Sequence, residues 1–343
     1  KNTLYYTSNQ SSVINQDVYS IRFDGKGQRK LFSSEGHNEA DFSSTFKYYV
    51  NVWSNANTPP VHTLHKIDGT EMRVIEDNSY LNNELKRFGF AKKEFIKIPT
   101  GDKLELYAYI IKPSDFDSTR KYPLFFNVYG GPQSQEVVNK WDAGIAWQQL
   151  MASHGYIIAC VDNRGTDGRG EEFRKSTYMQ LGKLETEDQI NAAKYLGKKS
   201  WIDENRIGIW GWSYGGYMTL LCMTKGADVF KTGIAVAPVT NWRFYDNIYT
   251  ERFMRRPQDN PEGYDDNSPI NHASKLKGNL LLIHGMADDN VHLQNSVAMA
   301  ERLIQENKQF QQFMYPNRNH NINGGNTRHH LYSLMTDFII KNL

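Results

Sequence analysis

From about Phe95 onward the chain alternates two kinds of hydrophobic pattern. One is a short run that is apolar on nearly consecutive positions: Pro123–Tyr129, Tyr156–Val161, Ile207–Gly211, Gly233–Ala237 and Leu280–His284. Strands covered on both faces read this way, because neither face is left to water. Leu104–Ile111 and Phe310–Tyr315 read as further strands. The other pattern returns apolar residues every three or four positions. It predicts helices over Trp141–His154, Glu185–Lys199, Tyr214–Lys225, Asn295–Asn307 and Arg328–Leu343. Strand followed by helix, repeated, is the pattern of an α/β fold: a mainly parallel sheet with helices on both faces. Functional residues in such sheets lie beyond the C-terminal ends of the strands.

The first 82 residues differ. They are rich in Tyr, Ser, Thr and Asn and read as short strands and turns that repeat. Val18-Tyr19-Ser20-Ile21, followed by Asp24-Gly25, is echoed by Val61-His62-Thr63-Leu64, followed by Asp68-Gly69. Leu4-Tyr5-Tyr6 has its echo in Tyr48-Tyr49-Val50, and Lys30-Leu31-Phe32 in Arg73-Val74-Ile75. Val18 to Val61 is 43 positions, as is Leu31 to Val74. A period in the low forties, with short strands and an Asp-Gly hairpin turn, is that of a β-propeller blade. Two blades do not close a propeller. The expected organisation is therefore two blades of a truncated propeller over 1–82, followed by an α/β domain over 83–343.

Composition narrows the function classes only a little. A net charge of +2 gives no drive toward nucleic acid or an anionic membrane, and no apolar run reaches membrane-spanning length. The chain begins at Lys1 with no apolar leader behind it, so targeting information is expected to lie outside this sequence. The two cysteines, Cys160 and Cys222, fall in apolar patterns and read as small buried hydrophobes rather than a disulfide framework. No metal-ligand spacing occurs, and Gly165–Gly170 lacks the Lys-Ser/Thr ending of a phosphate loop, so neither metal nor cofactor is expected.

Candidate chemistry centres on Gly211-Trp212-Ser213-Tyr214-Gly215, between a predicted strand and a predicted helix. A serine there stands on a sharp turn with its hydroxyl exposed, the flanking glycines leave room for that turn, and the next amide, of Tyr214, faces a developing oxyanion. The plainer alternative is that Ser213 only caps the helix. A serine nucleophile needs a base and an orienting acid, in α/β-hydrolases placed in the order Ser, Asp, His. His284-Gly285-Met286-Ala287-Asp288-Asp289-Asn290 follows a strand, and spacing does not choose between Asp288 and Asp289. Of ten histidines, His320 lies in a loop beyond the last strand, whereas His329 and His330 fall in the last helix and His284 ends a buried strand.

Gly211-Trp212-Ser213-Tyr214-Gly215-Gly216-Tyr217 resembles the nucleophile motif of the dipeptidyl peptidase IV group in the prolyl oligopeptidase clan. The resemblance continues through Gly233–Val239, Tyr245-Asp246, Tyr249–Arg252 and His284–His292, and covers nearly the whole chain. It implies an α/β-hydrolase domain with Asp288 as the triad acid and His320 as the base. It also implies that the Tyr129 phenol joins the Tyr214 amide at the oxyanion. Val239, Trp242, Tyr245, Tyr249 and Val291 would line the pocket for the residue before the scissile bond, and Asn290 would bind a substrate carbonyl. The family's paired glutamates that hold the substrate's amino terminus match nothing here; Glu171-Glu172 reads as a solvated loop pair. Asn321 stands after His320 where the family often has glycine, a change expected to be tolerated.

The resemblance thus implies a serine exopeptidase acting on peptides with penultimate Pro or Ala, exported or periplasmic, and homodimeric. A prolyl tripeptidyl peptidase, an ester hydrolase and an inactive fragment or binding scaffold of the same fold are the competing readings.

Overall fold

The computed structural model describes residues 2–100 and 104–343; Lys1, where the predicted first blade begins, lies outside them. The chain forms two compact units. One holds the residues up to Lys93 together with Val137–Gln149, and the other Glu94–Glu136 together with Leu150–Leu343. The predicted division at 82/83 therefore falls inside the first unit. Long-range hydrogen bonds draw the later residues in: the Ala91 amide donates to Gln149 Oε1 at 2.8 Å, and the Ala56 amide to Asn139 Oδ1 at 3.0 Å.

In the first unit, β1 (Thr3–Ser8), β2 (Asp17–Arg22) and β3 (Arg29–Lys30) form one antiparallel sheet. A second sheet comprises β4 (His37–Phe42), β5 (Tyr48–Asn55), β6 (Thr58–Lys66) and β7 (Glu71–Glu76) in sequential order. Strands β1-β2-β3 and β5-β6-β7 carry the repeat noted above. Gly25 and Gly69 take the left-handed conformation (φ 77° and 97°) at equivalent hairpin turns, which is why Asp-Gly recurs. Helix α1 (Ser79–Arg87) follows.

The second unit is built on an eight-stranded sheet. Its strands are β8 (Lys93–Pro99), β9 (Glu105–Ile111), β10 (Tyr122–Asn127), β11 (Ile157–Val161), β12 (Ile202–Trp212), β13 (Thr232–Val236), β14 (Asn279–Gly285) and β15 (Gln311–Tyr315), in the order β15-β14-β13-β12-β10-β11-β9-β8. The six strands from β10 to β15 run parallel, and β9 pairs antiparallel with β11. Strands β11 and β13 are buried at every position, as their unbroken apolar runs require.

The helices are α2 (Ala146–Ser153), α3 (Glu171–Lys175), α4 (Lys183–Gly197), α5 (Tyr214–Lys225), α6 (Asn247–Met254), α7 (Pro261–Asp266), α8 (Gln294–Gln305) and α9 (Thr327–Asn342). The helix expected over Trp141–His154 is shorter than predicted, because Asp142 caps a separate 3-10 turn at Ala143–Ile145, its Oδ1 accepting from the Gly144 amide at 2.7 Å. Helix α5 is buried from Tyr214 through Thr224, so it reads apolar on all sides. Each buried Leu or Met on it contributes about 1.5–3 kcal/mol through apolar area removed from water. Both cysteines are buried and neither forms a disulfide.

The chain order crosses over at β10: β11 lies on one side of it and β12 on the other. The loops after β10 and β12 therefore leave neighbouring strand ends at a topological switch point, where open α/β sheets place their sites.

Candidate active site

Ser213 sits between β12 and α5 with φ 60° and ψ −116°, a backbone conformation costly for any residue with a Cβ. Its side chain makes no cap hydrogen bond, so the plain capping role is not what holds it there. The turn is held from outside: the Ser213 amide donates to the Val236 carbonyl at 2.8 Å, at the end of β13. Its glycines are required by closeness. A Cβ on Gly211 would lie 2.3 Å from the Gly215 carbonyl oxygen, and one on Gly215 would lie 2.1 Å from that of Val128. The strain is measurable. Ser213→Gly is expected to be more stable than Ser213→Ala by about 1 kcal/mol, because only glycine relaxes at this φ/ψ; equal denaturant midpoints would show that the turn is unstrained.

Asp288 and Asp289, which spacing left equivalent, stand in different surroundings. Asp289 is exposed, whereas Asp288 is buried and its Oδ2 lies 2.8 Å from His320 Nδ1. Asp288 Oδ1 accepts the amides of Asn290 and Val291, each at 3.0 Å. Burial acts to raise the Asp288 pKa. Hydrogen bonds from His284 and His320, with the charge of His320 and the Asn290 amide, outweigh it and hold the carboxyl well below the usual carboxylate range. An ionised Asp288 only accepts, so His320 Nδ1 carries the proton and Nε2 is left with its lone pair.

The His320 loop is tied to the serine turn by the Trp212 indole, which donates to the His320 carbonyl at 3.0 Å. Asn321 is exposed and its φ is not left-handed, so the backbone makes no demand for glycine there. His329 and His330 lie on α9 and are exposed. His284 is fully buried. Its Nδ1 meets Ser296 Oγ at 2.7 Å, and its Nε2 meets the Val291 carbonyl at 2.7 Å and Asp288 Oδ2 at 3.2 Å. Sequence reasoning treated it as structural; the structure makes it a second partner of Asp288, and its only signal was a polar residue at the end of an apolar strand.

Tyr129 follows β10, and its ring lies 6.0 Å from that of Tyr214. Burial raises the Tyr129 phenol above its ordinary pKa, which keeps it a donor. Tyr214 opens α5, so its amide is one of the first-turn N–H groups that no helical carbonyl reaches.

The aromatic residues gather beside this turn. Trp242 packs on Tyr214 at 5.5 Å, Tyr245 at 6.0 Å and Tyr249 at 6.0 Å, and Tyr245 meets Tyr249 edge-on at 5.4 Å. Val239 and Val291 are buried. Local capping sets the tyrosines: Asp246 accepts from the Tyr249 amide at 2.8 Å and starts α6. The Tyr245 phenol donates to Asn290 Oδ1 at 2.7 Å, which leaves the Asn290 amide nitrogen as a donor. Glu171 and Glu172 occupy the first turn of α3 rather than a loop. They are exposed, and Glu171 pairs with Lys175. Among the described residues no group of three or more His, Cys, Asp or Glu side chains is placed to hold a metal, and no helix is long and apolar enough to cross a membrane.

A serine on a strained strand-to-helix turn of a mainly parallel sheet, with a buried aspartate hydrogen-bonded to a half-buried histidine beyond later strands, defines an α/β-hydrolase site. Residues 143–343 match the model of the prolyl oligopeptidase family, and the chain belongs to that family. Residues 1–60 match the dipeptidyl peptidase IV N-terminal region. The chain is similar to the crystal structure of Porphyromonas gingivalis dipeptidyl peptidase 4, with a TM-score of 0.95 and 49% identity over 99% of this chain and 48% of that one. It is 42% identical to prolyl endopeptidase FAP of Mus musculus over 99% of this chain and 46% of the relative. It is 38% identical to a probable dipeptidyl-aminopeptidase B of Arthroderma otae over 97% of this chain and 36% of the relative. The chain thus spans less than half the length of these relatives.

Proposed function

We propose that this chain carries the catalytic part of a serine exopeptidase that releases N-terminal X-Pro or X-Ala dipeptides. The observation that carries the reading is the hydrogen bond from His320 to the buried Asp288, tied through Trp212 to the strained Ser213 turn, with the aromatic box of Trp242, Tyr245 and Tyr249 beside it. In this reading Ser213 Oγ attacks the carbonyl carbon of the penultimate residue. His320 Nε2 takes the serine proton and passes it to the leaving amine, then activates a water that hydrolyses the Ser213 ester and frees the dipeptide, while Asp288 holds the tautomer and offsets the imidazolium charge. The Tyr129 phenol and the Tyr214 amide receive the oxyanion. The box, closed by Val239 and Val291, suits a flat, compact proline ring and admits alanine. The Asn290 nitrogen donates to a substrate carbonyl. Export and a homodimer belong to the same reading and rest on the family resemblance alone.

The test uses this chain and its Ser213→Ala variant with a fluorophosphonate, a Gly-Pro chromogenic amide and the N-acetylated amide. Labelling of Ser213 with cleavage of the Gly-Pro amide is the expected result, and selectivity for the free amine is expected only where the glutamates that hold the amino terminus, which match nothing in this chain, are supplied. Cleavage of both substrates would mark a competent triad that lacks the groups enforcing exopeptidase cutting. A folded chain that takes no label would overturn the enzymatic reading.

A further inference from the structure

Helix α4 buries polar groups where a helix against a sheet normally buries hydrocarbon: Glu185, Asp188 and Gln189 are all fully buried. Residues three and four apart share a face of a helix, so these three form one stripe. Buried carboxyls and amides cost stability unless their bonds are satisfied, and the place where these bonds end is informative. Gln189 Nε2 donates to Asn163 Oδ1 at 2.9 Å and to the Val161 carbonyl at 2.9 Å. Asn163, itself fully buried, passes the connection on: its Nδ2 donates to the Gly130 carbonyl at 2.9 Å. Gly130 follows Tyr129, and a Cβ there would lie 2.5 Å from Asn163 Oδ1. One turn earlier on α4, Glu185 Oε1 accepts from the Tyr214 phenol at 2.9 Å. Asp188 anchors the stripe between them through a bidentate Arg164 pair, with Nη2 at 2.7 Å and the Arg164 amide at 2.8 Å.

We propose that this polar face of α4 is a positioning device for the oxyanion site, setting Tyr129 through Gln189, Asn163 and Gly130, and Tyr214 through Glu185. The inference rests on the oxyanion roles proposed above for those two tyrosines. Both connections start on one helix turn, so a single rigid element fixes the spacing of two donors that arrive from different strands. The space between the donors is tight: a Cβ on Gly131 would lie 2.9 Å from the Tyr129 ring and 3.0 Å from that of Tyr214. Oxyanion donors act only when they lie about 2.7–3.1 Å from the developing charge, and a displacement of about 1 Å costs roughly 100-fold in rate. Glu185 suits the task as an uncharged acceptor. Burial pushes its carboxyl up to about 8, against the lowering effect of its own amide, the Gly182 amide and the Tyr214 phenol.

The experiment compares Glu185→Leu, Glu185→Gln and Asn163→Ala with the unmodified chain. It reads kcat and KM on the Gly-Pro amide, inhibition by a prolyl boronate (whose boron hydroxyl takes the oxyanion position), and the melting temperature. Glu185→Leu and Asn163→Ala are each expected to lower kcat about 10- to 100-fold and weaken the boronate by a similar factor, with KM within threefold. Glu185→Gln keeps an acceptor for Tyr214 and is expected to recover most of the loss. Should Glu185→Leu not fold, Asn163→Ala and the Gln variant carry the comparison. Unchanged kcat in Asn163→Ala, or a Gln variant as slow as the Leu one, would overturn the proposal. A rate loss that only tracks the melting temperature would do the same. Failure of the fluorophosphonate to label the unmodified, folded chain would overturn the peptidase reading and this inference with it, whereas a labelled chain with insensitive variants overturns the inference alone.

Discussion

Asp288→Asn is expected to fold and to lose about 10,000-fold in kcat. The direction follows from which oxygen does what. The amides of Asn290 and Val291 both donate to Oδ1, so an asparagine must keep its carbonyl oxygen there. Its NH2 then takes the place of Oδ2, facing His320 Nδ1 at 2.8 Å. A donor at that point forces His320 to put its proton on Nε2, the atom that accepts from Ser213 in the proposed mechanism, and the proposed base is lost without any displacement. The same substitution changes the acid limb of stability. The Asp288 pKa in the fold lies below that of an unfolded aspartate, about 3.9. Its ionisation therefore stabilises the fold fully above that value, and the stabilisation is lost as pH falls toward the folded value. The stability gap between the unmodified chain and Asp288→Asn should narrow as pH is lowered from 7 to 3 in denaturant titrations. A variant retaining a tenth of the activity, or a gap independent of pH, would remove Asp288 from its assigned place.

Gly215→Ala is expected to be as damaging by a different route. The new methyl would lie 2.1 Å from the Val128 carbonyl oxygen and 3.3 Å from the Tyr129 Cα, and both are backbone atoms at the end of β10. A flexible side chain could turn aside; a strand end held by the bond from the Val128 amide to the Trp210 carbonyl, at 3.0 Å, must move as a whole. Overpacking of this kind costs about 1–3 kcal/mol. The displacement falls on Tyr129 and Tyr214, the residues proposed above to carry the oxyanion donors, so kcat should drop at least about 100-fold. Gly197→Ala is the control. Its Cβ would meet nothing closer than Ile207 Cδ1 at 3.4 Å, and near the end of α4 alanine should be neutral or slightly stabilising. Thermal melts and kcat for the pair check both statements, and a Gly215→Ala enzyme with ordinary kcat would refute the packing argument.

The sheet strands were legible because burial on both faces leaves consecutive apolar residues, as in β11 and β13. Strand β8, with its lysines and glutamate at Lys93–Pro99, has no such run and was missed. So were α6 and α7, which are short and hold their starts through Asp246 and Asn260 caps rather than through an apolar stripe. Long-range bonding brought 137–149 into the first unit, and no shift of composition marks that.

For the site, sequence alone determined the serine turn. Strand, G-x-S-x-G and helix are contiguous, and the steric demand for glycine on either side of Ser213 is local. It also narrowed the acid to Asp288 or Asp289 and placed His320 beyond the last strand. Only the tertiary structure decided which carboxyl is buried against His320, that His284 serves the same carboxylate, and that the polar stripe of α4 is turned inward. Nothing in the sequence singles out Glu185, Asp188 and Gln189 within the predicted helix, since charge in a helical pattern usually seeks water. Their burial depends on partners 24 to 29 positions away, Arg164, Asn163 and Tyr214. Local sequence specifies backbone conformation and face, whereas the partner that makes a buried charge tolerable is chosen by the packing of the whole sheet.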